Sequence, residues 1–327
     1  MRLVTFRHPT GGPPMPGALL ADGAVLDLFL ASGRAAAFES VLALIEAGPE
    51  AWMTARQLVA GASRGAVRAA GQFALLAPMP CPPQIRDFMC FEKHVIQAFG
   101  AAFRMRATRA ATAEEKAALL AQADAYRPPP VWYERPLYYK ANRFSISGPG
   151  DTIHWPAYSR LMDYECELAC VIGRPGADIP KARAREHVFG WTIFNDFSAR
   201  DTQGAEMPGG LGPAKGKDFD GANAFGPCIV TADEIPDPYD LAMIVRVNGQ
   251  ERSRGSTRDM HWKFEDVIAY VSQGETLHAG EILASGTVGD GCGLEHLRFL
   301  EDGDRVEIEI PPIGVLENRV VRGAGAA

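Results

Sequence analysis

Carboxylates recur at every second position in Asp163-Tyr164-Glu165-Cys166-Glu167, and the run continues as Leu168-Ala169-Cys170-Val171-Ile172 before Gly173 and Pro175 close it. The apolar second half predicts a strand entering a core. Alternate side chains of a strand share a face, so Asp163, Glu165 and Glu167 point one way. Like charges so placed repel unless something neutralises them. A hard cation would do so, because Mg²⁺, Ca²⁺ and Mn²⁺ take oxygen-rich ligand sets. The alternative is an exposed edge strand whose charges are solvated by water.

Other polar clusters could serve the same chemistry. Asp87 and His94 lie close together after a proline-rich break. A lone histidine is more often a structural residue than a catalyst. Asn195-Asp196 follows the apolar stretch Trp191-Thr192-Ile193-Phe194, so it falls at a strand end, where Asp196 could supply a further oxygen. Arg200 and Gln203 have the spacing of one side of a helical turn; their alternative role is a solvated cap with an Arg–Asp pair. The stretch Gly212 to Gly221 is glycine-rich, yet Asp218 stands where a phosphate-binding loop needs Ser or Thr. Gly286-Thr287 and Gly291-Cys292-Gly293-Leu294-Glu295 form the last cluster, in which Glu295 also fits a plain surface position.

The elements that must position these residues fall into two parts. Residues 1–80 predict a small α+β unit. Arg2 to Phe6 is a short strand, Asp22-Gly23 is a hairpin turn, and Phe38 to Ala47 and Ala51 to Ala60 have helical spacing. Pro78-Met79-Pro80-Cys81-Pro82-Pro83 then marks a linker. Beyond it, Val95 to Met105 and a second segment opened by the capping-box pair Thr112 and Glu115 form a helical insertion over about 95–130. The insertion is either a lid over a site or a surface excursion. From Tyr138 onward short strands follow one another: Ser145 to Ser147, Glu165 to Ile172, Val188 to Asn195, Cys228 to Thr231, Leu241 to Val247, Ile282 to Gly286 and Arg305 to Ile310. Apart from short helical pieces, chiefly Lys263 to Ser272, this predicts an α+β fold that is mostly β, with a roll- or barrel-like sheet over 81–327. Gly323-Ala324-Gly325-Ala326-Ala327 is expected to fray.

Composition removes several function classes. A 47% apolar, 22% charged chain of 327 residues has enough material for a sizeable core. The 33 Lys and Arg against 40 Asp and Glu give a formal charge of −7, and no basic run offsets it, which disfavours nucleic acid. No apolar run reaches the ~18 residues of a membrane span. Met1-Arg2-Leu3-Val4-Thr5-Phe6 lacks the apolar segment of a secretory leader. Cysteines without C-x-x-C spacing, in a chain this long, predict reduced thiols and a cytoplasmic location.

Taken in order, the motifs resemble one known family. They are Asp87…His94, Asp163-Tyr164-Glu165-x-Glu167, Asn195-Asp196-x-x-Ala199-Arg200-Asp201-x-Gln203, Gly216-Lys217-x-Phe219-Asp220, Gly226-Pro227, Gly286-Thr287 and Gly303-Asp304…Ile313-Gly314-x-Leu316-x-Asn318. This pattern is similar to the fumarylacetoacetate hydrolase family over residues 80–322. The resemblance implies a divalent cation, Mg²⁺ or Ca²⁺ with Mn²⁺ as a further option, held by Glu165, Glu167 and Asp196 and completed by Asp87. It implies a hydrolytic dyad of His94 oriented by Glu295. Arg200, Gln203 and Lys217 correspond to groups that contact substrate oxygens and developing negative charge, with Lys217 assigned a catalytic part. Thr287 matches a residue that holds a substrate carboxylate or carbonyl. A small dicarbonyl acid as substrate and a homodimer are further implications.

The departures are informative. Family members that act as acylpyruvases or oxaloacetate decarboxylases carry a Glu three residues after the His; here that residue is Gln97, which favours the His–Glu hydrolase dyad. Met89 replaces a Tyr, and Lys217-Asp218-Phe219-Asp220-Gly221 replaces Lys-Ser-Phe-Asp-Thr, so the substrate is expected to differ. Hydrolysis of a carbon–carbon bond between carbonyls needs a Lewis acid, a general base for water and positive groups to receive an enolate. The expected reaction is therefore metal-dependent hydrolysis of a β-diketo or acylpyruvate-like acid. Decarboxylation and keto–enol isomerisation are the rival reactions.

Overall fold

The structure, a computed structural model, describes residues 1–323. Its centre is the strand Cys166–Ile172, buried along its whole length. Leu168, Cys170 and Ile172 enter one apolar cluster, while Ala169 and Val171 enter another. A strand covered on both faces carries a continuous apolar run instead of a polar alternation, which is what its sequence shows.

The large sheet grows outward from that strand. Val188–Asp196 pairs with it on one side and Ile282–Ala284 on the other, both antiparallel. Ile85–Phe88 runs parallel to Ile282–Ala284, and Tyr138–Lys140 ends the row. In the other direction come Asn223–Thr231 and then Arg2–Arg7. Met15–Leu19, Val25–Asp27 and Val67–Arg68 complete the path. The stretch 78–83 carries no helix or strand, but strands from before it continue the sheet built after it.

A second, 5-stranded sheet runs in the order Gln250–Ser256, Ala242–Val247, Arg305–Ile310, Gly314–Arg322, Thr152–Trp155. It packs on one face of the large sheet through Leu168, Ile193, Val245, Ile308 and Leu316. The opposite face is covered by the N-terminal helices, where Val41, Leu44 and Ile45 meet Leu3, Leu26, Phe194 and Phe225. The fold is thus mixed α+β and mostly sheet. Among the described residues the expected roll or barrel takes the form of open packed sheets, because the large sheet ends at Val67–Arg68 and Tyr138–Lys140, which do not pair.

Several sequence expectations are refined. The central strand starts at Cys166 instead of Glu165, which makes an isolated bridge to Cys292, and Met162–Asp163 pairs separately with Ser198–Ala199. The insertion is a helical hairpin, Glu92–Ala107 and Ala113–Ala125, and His94 lies in the first turn of its first helix. Thr112 caps the second helix, accepting the Glu115 N–H at 3.1 Å. The segment 324–327, part of the expected frayed tail, lies outside the described residues. No helix of the described residues is long and apolar enough to cross a membrane.

Candidate active site

Strands in the middle of the large sheet deliver the carboxylates. Asp87 lies on Ile85–Phe88, Glu167 on Cys166–Ile172 and Asp196 at the end of Val188–Asp196, with Glu165 just before the central strand. Glu167 alternates with Leu168 and so shares the face of Ala169 and Val171; Asp196 likewise shares the face of Phe194. Each of Asp87, Glu165, Glu167 and Asp196 is buried and offers an oxygen within 4.8 Å of the others. The solvated-edge alternative for this face is thereby removed. Gly286 supports the group: its N–H donates to Glu167 Oε2 at 3.0 Å. Its φ of 74° and a Phe88 carbonyl 2.1 Å from where a Cβ would sit leave room only for glycine.

Burial and mutual repulsion govern the charges. Burial pushes the Asp87 and Asp196 carboxyls up, and neighbouring carboxylates add to it. Glu167 is pushed up by burial and by Asp87, Glu165 and Asp196. Burial also pushes Glu165 up, but Lys217 and Arg200 outweigh it and hold that carboxyl well below the usual carboxylate range. Lys217 Nζ donates to Glu165 Oε2 at 2.7 Å and to Asp196 Oδ2. Burial lowers the Lys217 pKa, yet Asp196 and Glu165 more than reverse that, so the ammonium stays charged. Asp87 Oδ1, Glu167 Oε1 and Asp196 Oδ1 are buried without a hydrogen-bond partner among the described residues. Buried anionic oxygens of this kind fit a hard cation.

The His94 ring lies beside this group. His94 Nδ1 is 3.0 Å from Glu295 Oε1, across 201 residues of sequence. A carboxylate only accepts, so Nδ1 carries the hydrogen and the neutral ring keeps its lone pair on Nε2. Glu295 Oε2 accepts the Cys292 N–H at 3.0 Å, which fixes the carboxylate from behind. The bridge between Glu165 and Cys292 ties this loop to the carboxylate strand.

Arg200 is largely engaged by the protein. Its Nε donates to Asp163 Oδ2 at 2.8 Å, and its Nη1 lies 2.7 Å from Glu165 Oε1 and 2.9 Å from Gln203 Oε1. Its Nη2 is buried and unpartnered among the described residues, as is Thr287 Oγ1. Arg200, Gln203, Lys217 and Thr287 are thus linked to the site in different degrees. Arg200 and Lys217 touch its carboxylates, Gln203 touches Arg200, and Thr287 lies in the loop after Ile282–Ala284.

The sequence did not disclose several participants. Tyr139 O–H donates to Asp196 Oδ2 at 2.6 Å, a contact that depends on its strand pairing with Asp87. Asp163 points away from the cation-binding group expected of it. It accepts Arg200 Nε, and it accepts the Gly293 and Leu294 N–H groups, each at 2.8 Å. Gln97, set apart in the sequence as a departure, exchanges hydrogen bonds with Asp290: Gln97 Nε2 donates to Oδ1 at 2.6 Å, and Asp290 N donates to Gln97 Oε1 at 3.2 Å. Only the pairing of distant segments reveals these contacts.

Comparison with known proteins places these residues in context. A family profile described as Fumarylacetoacetate (FAA) hydrolase C-terminal matches residues 104–321. The oxaloacetate tautomerase YisK of Bacillus subtilis (strain 168) is 40% identical over 190 residues, covering 57% of this chain and 62% of that protein. The mitochondrial oxaloacetate tautomerase FAHD2A of Homo sapiens is 40% identical over 189 residues, covering 58% of this chain and 60% of that protein. The match thus spans about three fifths of these curated relatives. Among solved structures, a fumarylacetoacetate hydrolase from psychrophilic Exiguobacterium antarcticum superposes with a TM-score of 0.73 at 29% identity, over 99% of this chain and 100% of that chain. Maleylpyruvate hydrolase from Sphingobium sp. SYK-6, in complex with manganese(II) and pyruvate, gives 0.71 at 25% identity, over 99% of this chain and 100% of that chain.

Proposed function

We propose that this chain, which belongs to the fumarylacetoacetate hydrolase family, is a divalent-cation-dependent hydrolase of a carbon–carbon bond in a small β-diketo or acylpyruvate-like acid. The observation that carries this reading is the His94–Glu295 pair at 3.0 Å, linked through the Glu165–Cys292 bridge to the buried carboxylates. Asp87, Glu165, Glu167 and Asp196 would hold Mg²⁺ or Ca²⁺, with Mn²⁺ fitting the same all-oxygen set. When bound, such an ion supplies Lewis acidity and positive charge toward substrate oxygens.

The chain's own residues do the rest. His94 Nε2 takes a proton from water as the water oxygen adds to a carbonyl carbon, while Glu295 holds Nδ1–H and supports the imidazolium. The carbon–carbon bond then breaks, and its electron pair leaves with the departing fragment as an enolate. Arg200, whose Nη2 has no partner among the described residues, and the Lys217 ammonium would receive that charge. His94 returns its proton to the fragment's carbon. Thr287 Oγ1 and Gln203 orient the substrate carboxylate.

A second reading uses the same residues for keto–enol tautomerisation: His94 removes a proton next to a carbonyl and returns it elsewhere, with no bond broken between carbons. The relatives named oxaloacetate tautomerases favour it. Decarboxylation would use the same cation and release CO₂. Purified protein with Mg²⁺ is to be incubated with an acylpyruvate and with oxaloacetate, and the products followed by NMR. Two organic fragments establish hydrolysis. Keto–enol conversion without fragments establishes tautomerisation, and CO₂ release establishes decarboxylation. Full activity in chelator-treated, metal-free protein would sink all of these. The protein is expected to act in the cytoplasm as a homodimer.

A further inference from the structure

His94, Cys292 and Glu295 bring a ring nitrogen, a thiol sulfur and a carboxylate oxygen within 4.8 Å of one another, all in buried residues. We propose that this trio is a second metal site, selective for a borderline-soft ion of the zinc class, Zn²⁺ or Cd²⁺, and that its occupation inhibits the enzyme by capturing the dyad. The site stands on its own geometry; the inhibition rests on the role proposed for His94.

Donor chemistry separates the two sites. The carboxylates of Asp87, Glu165, Glu167 and Asp196 offer only hard oxygens. Sulfur and imidazole nitrogen select zinc-class ions over Mg²⁺ or Ca²⁺, and three protein ligands with one open position form a usual zinc arrangement. Around a tetrahedral zinc with bonds of ~2.0–2.3 Å, donors stand roughly 3.5 Å apart. The His94–Glu295 separation of 3.0 Å must therefore open slightly, and any pair near the 4.8 Å limit must close by about 1 Å.

The surroundings favour a cation. Burial pushes the Cys292 thiol up, and Glu295, Asp163 and Glu165 add negative charge around it, against the opposing Arg200. The Cys292 N–H already donates to Glu295 Oε2 at 3.0 Å, so the two ligands are fixed on one turn of chain. Glu295 is closed off while His94 retains 11% side-chain exposure, so an ion enters along the imidazole. On binding, the thiol proton leaves to solvent, and the His94–Glu295 hydrogen bond gives way to coordination. His94 then cannot serve as a base.

The test uses the full chain carrying Cys81→Ser, which removes the exposed thiol. With Mg²⁺ saturating, CdCl₂ is titrated while the ultraviolet thiolate-to-cadmium absorption, the bound cadmium per chain and the initial rate are recorded. The absorption should rise to one cadmium per chain as the rate falls in parallel. Adding Cys292→Ala, or Cys292→Ser if the alanine variant does not fold, should remove the absorption and raise the inhibitory cadmium concentration at least tenfold. Adding Glu167→Gln should leave the absorption intact. Absence of the thiolate band, or equal inhibition with and without Cys292, would overturn the site and assign cadmium to the carboxylates. The band and stoichiometry are read without turnover, so failure of the proposed reaction does not decide this result.

Discussion

A base and its orienting acid lose function together when either is removed. His94→Ala deletes the proposed base, so kcat should fall by the ~10²–10⁴-fold typical of general-base loss, with smaller change in KM. Glu295→Gln keeps the shape and a hydrogen bond but loses the charge, and it should cost less. The double variant should be scarcely worse than His94→Ala, because residues acting as one unit are non-additive. Steady-state kinetics on all three variants checks this; losses that multiply would show independent residues. Asp163 marks the limit of what residue types disclose. It belongs to the same alternating run as Glu165 and Glu167, and the motif alone assigns it to the same face. Its carboxylate instead joins Arg200 to the Gly293 and Leu294 N–H groups, just before Glu295. The central strand begins only at Cys166, and Glu165 before it makes an isolated bridge to Cys292, so the strict alternation does not extend back to Asp163. Asp196, by contrast, was legible because it ends an apolar strand.

Among the elements, the helical hairpin bears most directly on the proposed function, since His94 stands at its base. Its helices meet closely: a Cβ on Gly100 would lie 3.1 Å from the Ala123 carbonyl oxygen. Phe99 stacks on Tyr126 at 5.1 Å between ring centres, and Arg104 pairs with Asp124 at 2.7 Å. If the hairpin closes over substrate, Gly100→Leu, which forces the helices apart, should raise KM or lower kcat several-fold in a protein that still folds. Kinetics paired with a thermal melt decides it: a lower melting temperature with unchanged kinetics identifies a surface excursion. The hairpin was readable because Thr112 and Glu115 announce the second helix. The central strands were readable from their apolar runs. Gln250–Ser256 was not, because it has no apolar side chain and is held by backbone pairing to Ala242–Val247. Nor did the sequence show that Arg2–Arg7 extends the large sheet, since nothing local names a strand's partner.

At the scale of the molecule, the buried carboxylates link stability to pH. Burial and mutual repulsion raise the folded pKa values of Asp87, Glu167 and Asp196 above their unfolded values. The native state therefore holds more protons than the unfolded chain as pH rises above about 4, so stability falls through that window. Glu165 has the opposite sign; its contribution is present above about 4 and is lost only as pH drops below that. Metal-free protein should thus melt at progressively lower temperature as pH rises above about 4. Saturating Mg²⁺ should raise the melting temperature and flatten that slope, because the ion takes over the neutralising work of the protons. Melting curves with chelator and with Mg²⁺ across that range provide the measurement. Parallel slopes would exclude these carboxylates as the ion's site.

The contacts that complete the site join residues far apart along the chain. Glu295 reaches His94 across 201 residues, and Leu294 reaches Asp163 across 131. Closing such long loops costs entropy that is recovered only when the flanking structure is in place. During refolding, helices and hairpins can return while residues 94 and 295 remain apart. Recovered activity therefore reports a late stage of assembly, and it should lag behind circular dichroism in a refolding time course.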